Sequence, residues 1–340
     1  MSSVARPQLS RWKHAAAKLV RRAVPIRGWV SALGAPLLLP LYHLVSDAPA
    51  AHVVHLYRSR TVREFERDLD FFLRHFEPVG LDAVVRFAGD RRSLRRPAFH
   101  LTFDDGFREG HEIAAPILRR KGIPATFFLS TGFLDGRGLA HDNKLSLLVA
   151  LLAAGASGPA LREITGCLPP PADAASGLDR RILAIPHSES GLVDRIARLL
   201  DVDFPAYVAS IRPHLSSVEA RDLVRQGFTL GAHSVDHPWY ARIPLEEQLA
   251  QTRNSLEFVT TQLGAQIRAF AFPYNDEQVT PGFFERAFAE GGLDVSFGTN
   301  GFARHYFPRN LERVVMERDE PDGAATLIAA YAREARHRWS

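Results

Sequence analysis

The stretch Leu101-Thr-Phe-Asp-Asp-Gly-Phe107 joins a short apolar run to two adjacent carboxylates. A run of this length with β-branched and aromatic residues is typical of a buried strand. Two like charges directly after such a strand are unfavourable unless a cation or a hydrogen-bond network stabilises them. Asp104 and Asp105 are therefore candidate functional residues at the end of a strand.

Apolar runs and helical segments alternate along most of the chain from residue 37. One helix is predicted from the apolar face of Phe65, Leu69 and Phe72, with Thr61 and Glu64 as its capping box. Gly122 predicts the end of the helix that follows the acidic pair. Seven or so such units in about 280 residues predict an α/β fold with a closed parallel barrel, whose functional groups lie at the carboxyl ends of the strands. The strand candidates are "LLLPLYHLV", "PAFHLTFDDG", "PATFFLST", "GFTLGAH", "IRAFAFPY", "VSFGTN" and "LERVVME".

Residues 135–220 interrupt this alternation. The segment contains helical patterns around the proline run Pro169 to Pro171, which predicts two or three helices inserted into a barrel loop, or else a separate small domain. The predicted organisation is a basic extension over 1–35, a barrel over 36–320 with this insertion, and a C-terminal helix over 321–340.

Basic residues are concentrated at the amino terminus. The chain has a net charge of +4, but residues 1–35 carry seven basic side chains and no acid, so the rest of the chain carries a net charge of −3. This distribution argues against a nucleic-acid partner. Apolar residues from Leu9 to Ala23 recur at helical spacing. They predict either a basic amphipathic helix on an anionic membrane or partner, or a terminal helix that packs on the domain.

The uncharged segment 28–42 is shorter than the roughly 20 residues that a membrane span needs, and it contains Pro36 and Pro40. No transmembrane helix is expected, and the second half of the segment predicts the first strand. The predicted location is cytoplasmic or peripheral to a membrane, with secretion left open. The single Cys167 excludes an intramolecular disulfide and a cysteine-rich metal site.

A second polar cluster follows a different strand candidate. His233 and His237 in "GAHSVDHPWY" are four residues apart, so a helical turn would place both imidazoles on one side. With Asp105 they would offer two nitrogens and one carboxylate, which is a ligand set for a catalytic zinc or another divalent ion. Each pattern alone is common, but both following separate buried strands indicate a metal site.

These motifs resemble those of the polysaccharide deacetylase family, the NodB-homology group of carbohydrate esterases. "TFDDGF" is similar to the first motif of the family, "HSVDH" to the second and "FAFPYN" to the third. The resemblance covers roughly residues 37–316 apart from the inserted block. It implies a distorted (β/α)7-type barrel with a helical insertion. It also implies hydrolysis of N-acetyl groups on sugars with a divalent metal, zinc first, with cobalt, nickel or manganese as alternatives.

The resemblance also implies a role for each matched residue. Asp105, His233 and His237 would hold the metal, and Asp104 would act as the general base. The backbone N–H of Tyr274 would bind the oxyanion.

Two features of the family pattern are absent from the sequence. The arginine that orients the base in many members is replaced by Ala271, with Arg268 nearby. The histidine of the last motif has no counterpart in "LERVVMER". His305 is the first candidate for the general acid. His43 is the second candidate for that role and is otherwise a substrate-binding candidate; each histidine could instead be structural.

Two further segments have both functional and structural interpretations. Trp239, after the second histidine, could stack on a sugar ring or pack in the core. The polar segment His141 to Leu145 could face the site, but it favours an N-cap at Asp142 or Asn143.

Three functions follow from this pattern. The first is removal of N-acetyl groups from a polysaccharide, an oligosaccharide or a lipid-linked amino sugar, so the expected partner is an N-acetylated carbohydrate. The second is an O-acetyl esterase or a non-sugar amidase with the same site. The third is an inactive carbohydrate-binding or scaffold protein, which the absent arginine and histidine favour and the intact acidic and histidine motifs oppose.

Overall fold

The computed structural model describes residues 26–48, 50–155, 157–170, 177–318, 320 and 322–339. The helices are Ile26–Leu33 (α1), Val62–His75 (α2), Leu81–Gly89 (α3), Ala115–Lys121 (α4), His141–Gly155 (α5), Gly158–Cys167 (α6), Leu178–Leu183 (α7), Ser190–Leu199 (α8), Phe204–Ile211 (α9), Ser217–Arg225 (α10), Leu245–Thr261 (α11), Pro281–Ala289 (α12) and Gly323–Trp339 (α13). The strands are Leu37–Leu38 (β1), Pro40–Tyr42 (β2), Glu77–Pro78 (β3), Ala98–Phe99 (β4), Leu101–Phe103 (β5), Ala125–Leu129 (β6), Thr229–Ala232 (β7), Ala269–Ala271 (β8), Val295–Gly298 (β9), Asn310–Glu312 (β10) and Val314–Val315 (β11).

Eight of these strands form one parallel sheet in the order β10-β9-β8-β7-β6-β5-β2-β11. The two ends of this order, β10 and β11, are separated in the chain by Arg313 alone. Strand β10 pairs with β9 and β11 pairs with β2, so one short segment closes the sheet into a barrel with seven strand positions. The predicted (β/α)7-type barrel is confirmed, and its closure lies at Arg313.

The barrel has an apolar interior and an apolar layer under its helices. Short side chains such as Ala269 and Ala271 share the interior with Phe128 and Phe297, so the narrow barrel has room for these rings. Helix α2 starts with the predicted capping box of Thr61 and Glu64, which is confirmed. Gly122 ends α4 with a φ of 66°, a left-handed conformation that favours glycine, as predicted.

The inserted block contains helices α5 to α9, between β6 and β7. Leu148, Ile164, Val193 and Ile196 are central members of a hydrophobic cluster of its own, distinct from the clusters of the barrel. A separate apolar core gives this block a stability that does not depend on the barrel alone. It is therefore a helical element set beside the carboxyl ends of the strands.

The terminal helices α1 and α13 pack against each other, with the ring of Trp29 stacked 6.5 Å from that of Tyr331. The amphipathic segment predicted between Leu9 and Ala23 lies outside the described residues. Within the described part of the chain, no helix is long and apolar enough to cross a membrane.

Candidate active site

The acidic pair leaves β5 at its carboxyl end, and its two members have different partners. Asp105 has a φ of 69°, an unusual left-handed conformation for a non-glycine residue, and Gly106 follows with a φ of 74°. A Cβ at Gly106 would lie 3.0 Å from Leu129, so both the backbone angle and the space favour glycine there. This turn lets two consecutive carboxylates face different groups in the same buried region.

The two histidines lie in a tight turn after β7 rather than in the expected helical turn. Ser234 and His237 have φ values of 65° and 59°, and the Ser234 hydroxyl accepts a hydrogen bond of 2.9 Å from the His237 N–H. Helix α11 supports the turn through Gln251, whose side chain accepts from the Val235 N–H at 2.9 Å. The helical expectation was wrong, but the turn still brings the two imidazole rings to 5.0 Å from each other.

Asp105, His233 and His237 meet as a triad. Oδ1 of Asp105 lies 3.4 Å from Nε2 of His233 and 3.3 Å from Nε2 of His237. One ligand atom from each residue lies within 4.8 Å of the other two. Burial alone would raise the pKa of Asp105, but its contacts with the two imidazoles hold that pKa well below its usual range. The carboxylate is therefore ionised and faces two nitrogens.

This triad fits a divalent cation. Among the described residues, Oδ1 of Asp105 is buried and has no hydrogen-bond partner. Nδ1 of His233 lies 2.8 Å from the carbonyl oxygen of Ala271, so this nitrogen carries the proton and donates it to that oxygen. The other nitrogen, Nε2, then presents its lone pair to Asp105, as a metal ligand does. Two imidazoles and one carboxylate suit zinc and related ions.

Asp104 is held by Arg313 through two parallel hydrogen bonds. Nη1 and Nη2 of Arg313 donate to Oδ1 and Oδ2 of Asp104 at 2.6 and 2.7 Å. The guanidinium is fully buried and lies over the rings of Phe128 and Phe297, at 5.4 and 5.9 Å from their centres. Burial by itself would raise the pKa of Asp104, but the charge of Arg313 lowers it, so the carboxylate stays ionised inside the barrel.

Asp104 is contacted by Arg313 and not by Arg268, which lies near the expected arginine position in the sequence. The structure places Arg268 at the start of β8, at the other end of the barrel, where its guanidinium donates to the Gly291 carbonyl at 3.0 Å. It does not reach Asp104. The signal for Arg313 was present in "LERVVM": a charged residue within an apolar strand candidate needs a buried partner of opposite charge.

His43 also faces this site and is paired with Glu317. The carboxylate of Glu317 is fully buried, contacts Nδ1 of His43 and accepts from the backbone N–H groups of His43 and Leu44 at 2.9 and 2.8 Å. Burial lowers the pKa of His43, but Glu317 outweighs burial and raises this pKa from 6.5 to about 9. The imidazole is therefore protonated at neutral pH, and its ring is stacked on Tyr57 at 4.4 Å.

His305 does not lie with these residues. It lines a second cavity, and its Nε2 lies 3.6 Å from Oδ2 of Asp276. Burial lowers the pKa of His305, which is the wrong direction for an acid that must be protonated at neutral pH. The first candidate for the general acid is thus outside the site, while the second, His43, lines it.

Tyr274 follows β8 and lines the site cavity with a φ of 60°. Among the described residues its backbone N–H donates no hydrogen bond, so it is free for a ligand. The ring of Tyr274 lies 5.1 Å from that of His237 and 5.7 Å from that of Trp239. Trp239 supports this wall from behind and is not among the residues that line the cavity.

The cavity has a volume of about 370 Å³ and is bounded on one side by the loop after β2 and by the inserted helices. Asp142 and Asn143 lie in the first turn of α5 and line the cavity, so the N-cap prediction for them was wrong. His214 is 4% exposed and stacks between Phe107 and Phe133, and burial lowers its pKa from 6.5 to about 3. Within the described residues, both of its ring nitrogens lack a hydrogen-bond partner.

The fold is a parallel βα-barrel. At the carboxyl ends of its strands, two histidines and one carboxylate form a triad that could hold a metal ion. The polysaccharide deacetylase family model matches residues 91–156 and 193–281 of this chain. These two segments contain both acidic residues, both histidines and Tyr274, and the gap between them falls within the inserted helices. No curated protein matches the chain in sequence.

Several solved structures have the same fold at low sequence identity. IcaB from Ammonifex degensii has 18% identity and a TM-score of 0.54, over 87% of this chain and 96% of that one. The Streptococcus pyogenes deacetylase PplD in complex with acetate has 15% identity and a TM-score of 0.52, over 82% of this chain and 92% of that one. The de-N-acetylase from Aggregatibacter actinomycetemcomitans has 14% identity and a TM-score of 0.51, over 87% and 99%. The chain thus matches the polysaccharide deacetylase family model over these two segments and shares the fold of these solved structures.

Proposed function

We propose that this protein is a metal-dependent hydrolase that removes N-acetyl groups from a carbohydrate. The observation that carries the proposal is that one cavity contains three kinds of group. These are the ligand triad, the ionised Asp104 held by Arg313, and the protonated His43 held by Glu317. Amide hydrolysis needs a base for the attacking water and an acid for the leaving nitrogen, and these groups are suited to those two steps.

Asp105, His233 and His237 would hold the cation. A divalent ion bound there would lower the pKa of water and polarise the acetyl carbonyl. Zinc is the first choice for two nitrogens and one oxygen, and cobalt, nickel and manganese are alternatives.

Asp104 would take a proton from the attacking water. Its two oxygens are fixed by Arg313, so the carboxylate does not rotate away and does not need to be reoriented during the reaction. The water oxygen then forms a bond to the acetyl carbon. The resulting negative charge on the carbonyl oxygen would be stabilised by the free backbone N–H of Tyr274.

His43 would donate a proton to the sugar nitrogen as its bond to the acetyl carbon breaks. Acetate and a free amino sugar are then the products. The ion pair with Glu317 keeps the imidazole protonated at neutral pH and fixes the orientation of its ring. This contact supplies the acid that the absent terminal motif left unassigned.

Polar atoms without partners on the cavity wall support a carbohydrate as the ligand. Both ring nitrogens of His214 and the hydroxyl of Tyr57 are buried and lack partners among the described residues. Both residues line the cavity, together with the carboxylate of Asp142. Buried polar atoms are costly without hydrogen bonds, and the hydroxyl groups of a sugar would satisfy them.

The experiment is acetate release by the full-length protein, supplied with each of the four metals or treated with a chelator. Its substrates are N-acetylglucosamine oligomers, a lipid-linked N-acetyl sugar, an O-acetylated sugar and a non-sugar acetamide. The proposal predicts metal-dependent release from an N-acetyl sugar. Release from the O-acetyl ester or the acetamide alone would favour the second hypothesis, and metal binding without any release would favour the inactive one.

A further inference from the structure

A second cavity shares no lining residue with the cavity of the candidate active site. It has a volume of about 1470 Å³ and is lined by residues at the amino ends of strands, among them Leu37, Glu77 and Asn310. Helix α1 and the end of α13 form part of its wall. The loop that follows β9 also lines this cavity, from Gly301 to His305.

This second cavity is strongly basic. Two of its lining residues, Glu77 and Glu312, are acidic. The arginines that line it are all exposed, and among the described residues only the last of them forms an ion pair, with Glu334 at 2.6 Å. These arginines are Arg27, Arg74, Arg91, Arg96, Arg304 and Arg338.

The basic groups in this cavity lie close enough to repel one another. Burial and the charge of Arg304 both lower the pKa of Arg91, and burial, Arg74 and Arg27 lower that of His75. Neighbouring positive charges repel each other unless a negative charge lies between them. Burial and the neighbouring Asp276 raise the pKa of Glu312 to about 8, so one of the two acids is largely uncharged at neutral pH.

The helix termini at this cavity explain only part of the basic cluster. Helix α2 ends at His75, and its last turn includes Arg74, where a cation is favourable beside the helix carbonyls. Arg96 and Arg304 lie outside helices, and Arg27 lies in the first turn of α1, where the helix dipole opposes a cation. These three arginines have no ion pair or side-chain hydrogen bond among the described residues, so their guanidinium groups are available to an anion.

We propose that this basic cavity, with Arg27, Arg96 and Arg304 as its contacts, docks the protein on the phosphate headgroups of an anionic phospholipid membrane. Guanidinium groups bind phosphate through paired hydrogen bonds, and several of them on one face suit a surface of many phosphates. The sequence adds a second basis for this choice. Six more basic residues precede Ile26, and the chain enters the described structure through α1, which lines this cavity.

The test is co-sedimentation of the full-length protein with vesicles of phosphatidylcholine alone or with 30% phosphatidylglycerol (about a third anionic lipid). The cavity variant is R27Q/R96Q/R304Q. The matched control is R162Q/R180Q/R195Q, which removes the same charge from exposed arginines of the inserted helices. Both variants should keep the circular dichroism spectrum and the rate of acetate release of the unmodified protein, because none of these residues lines the catalytic cavity.

We expect binding to the anionic vesicles only, weakened about 100-fold in the cavity variant and little changed in the control, since each basic group near a membrane contributes about 1 kcal/mol. Should the triple variant not fold, Arg304→Gln alone should weaken binding about fivefold. Equal binding by both triple variants would overturn the proposal, and so would absence of binding by the unmodified protein. Binding of inorganic phosphate without binding of vesicles would contradict docking on a membrane and would indicate a soluble ligand.

Discussion

Arg313 and Asp104 are joined by two hydrogen bonds of 2.6 and 2.7 Å across the point where the barrel closes. They are 209 residues apart in the sequence, and both side chains are buried. The same arginine separates β10 from β11, so the segment that closes the barrel also holds the candidate base. One ion pair therefore joins the closure of the barrel to the candidate base.

The first prediction concerns this pair. Arg313→Lys keeps a positive charge but loses the parallel hydrogen bonds, so we expect kcat to fall about 100-fold while zinc affinity stays within a few-fold. Arg268→Lys is the matched control, because Arg268 lies at the other end of the barrel. Steady-state kinetics and zinc titration measure both effects. An unchanged kcat in Arg313→Lys would show that the arginine does not position the base.

The second prediction separates the two histidines that were candidates for the general acid. His43→Asn should lower kcat for an N-acetyl sugar about 100-fold or more, because the leaving nitrogen then lacks a proton donor. His305→Asn should change kcat by less than about threefold, since this ring lines the other cavity. Acetate release measures both variants. The opposite ranking would return the role to His305.

The third prediction concerns pH. Glu317 raises the pKa of His43 to about 9, so the rate should fall as pH rises through about 9. Glu317→Gln removes the main charge that opposes burial, so the pKa of His43 should fall and the alkaline limb should move to lower pH. The pH profile of kcat/KM tests this, and an unmoved limb in Glu317→Gln would mean that another group titrates.

The same ion pair has a consequence for stability. The pKa of His43 is higher in the folded chain than its ordinary value of 6.5. Its contribution to the free energy of unfolding is therefore fully present below about pH 6.5 and is lost as pH rises through about 9. The unmodified protein should lose more thermal stability between pH 6.5 and 9.5 than Glu317→Gln does, as measured by the melting temperature at each pH.

The fourth prediction concerns the polar wall of the cavity. His214→Phe removes two buried nitrogens that lack partners and keeps the stack with Phe107 and Phe133, so stability should be unchanged or higher. KM should rise about tenfold, because the substrate loses a hydrogen bond of about 1 kcal/mol or more.

His100 provides the control for this substitution. It is also buried, but both of its nitrogens have partners, at 2.8 Å from Val79 O and from Thr126 Oγ1. His100→Phe should lower the free energy of unfolding by about 1–3 kcal/mol and leave KM unchanged. If His214→Phe destabilised the protein in the same way and left KM unchanged, His214 would be a core residue.

Residues directly after strands could be predicted from the sequence. Asp104, Asp105, His233 and His237 each follow an apolar run by one to five residues, and parallel strands bring their carboxyl ends together. The barrel itself follows from the alternation of strands and helices. Local sequence was sufficient in these cases because each functional side chain closely follows, in the sequence, the strand that positions it.

The supporting residues could not be predicted in this way. Glu317 meets His43 across 274 residues, and Arg313 meets Asp104 only because β10 pairs with β9 while β11 pairs with β2. Both contacts depend on how the barrel closes, which no local pattern specifies. His214 lies in a loop of the inserted block, where no strand fixes its position beforehand.

The metal ligands give the fifth prediction. Asp105→Ala removes the one oxygen ligand of the triad, so zinc affinity should fall at least 100-fold, as measured by isothermal titration. Asp236→Ala, in the same histidine turn but outside the triad, is the control and should bind zinc as the unmodified protein does. Retained affinity in Asp105→Ala would contradict the ligand set.

We propose different tasks for the two adjacent carboxylates, with Asp105 a metal ligand and Asp104 the base. The most direct measurement is acetate release from an N-acetyl sugar by the zinc-loaded Asp104→Asn variant. We expect one bound zinc and a kcat at least about 100-fold below that of the unmodified protein, because the amide does not accept the proton of the water. A fully zinc-loaded variant with near-normal kcat would contradict this assignment.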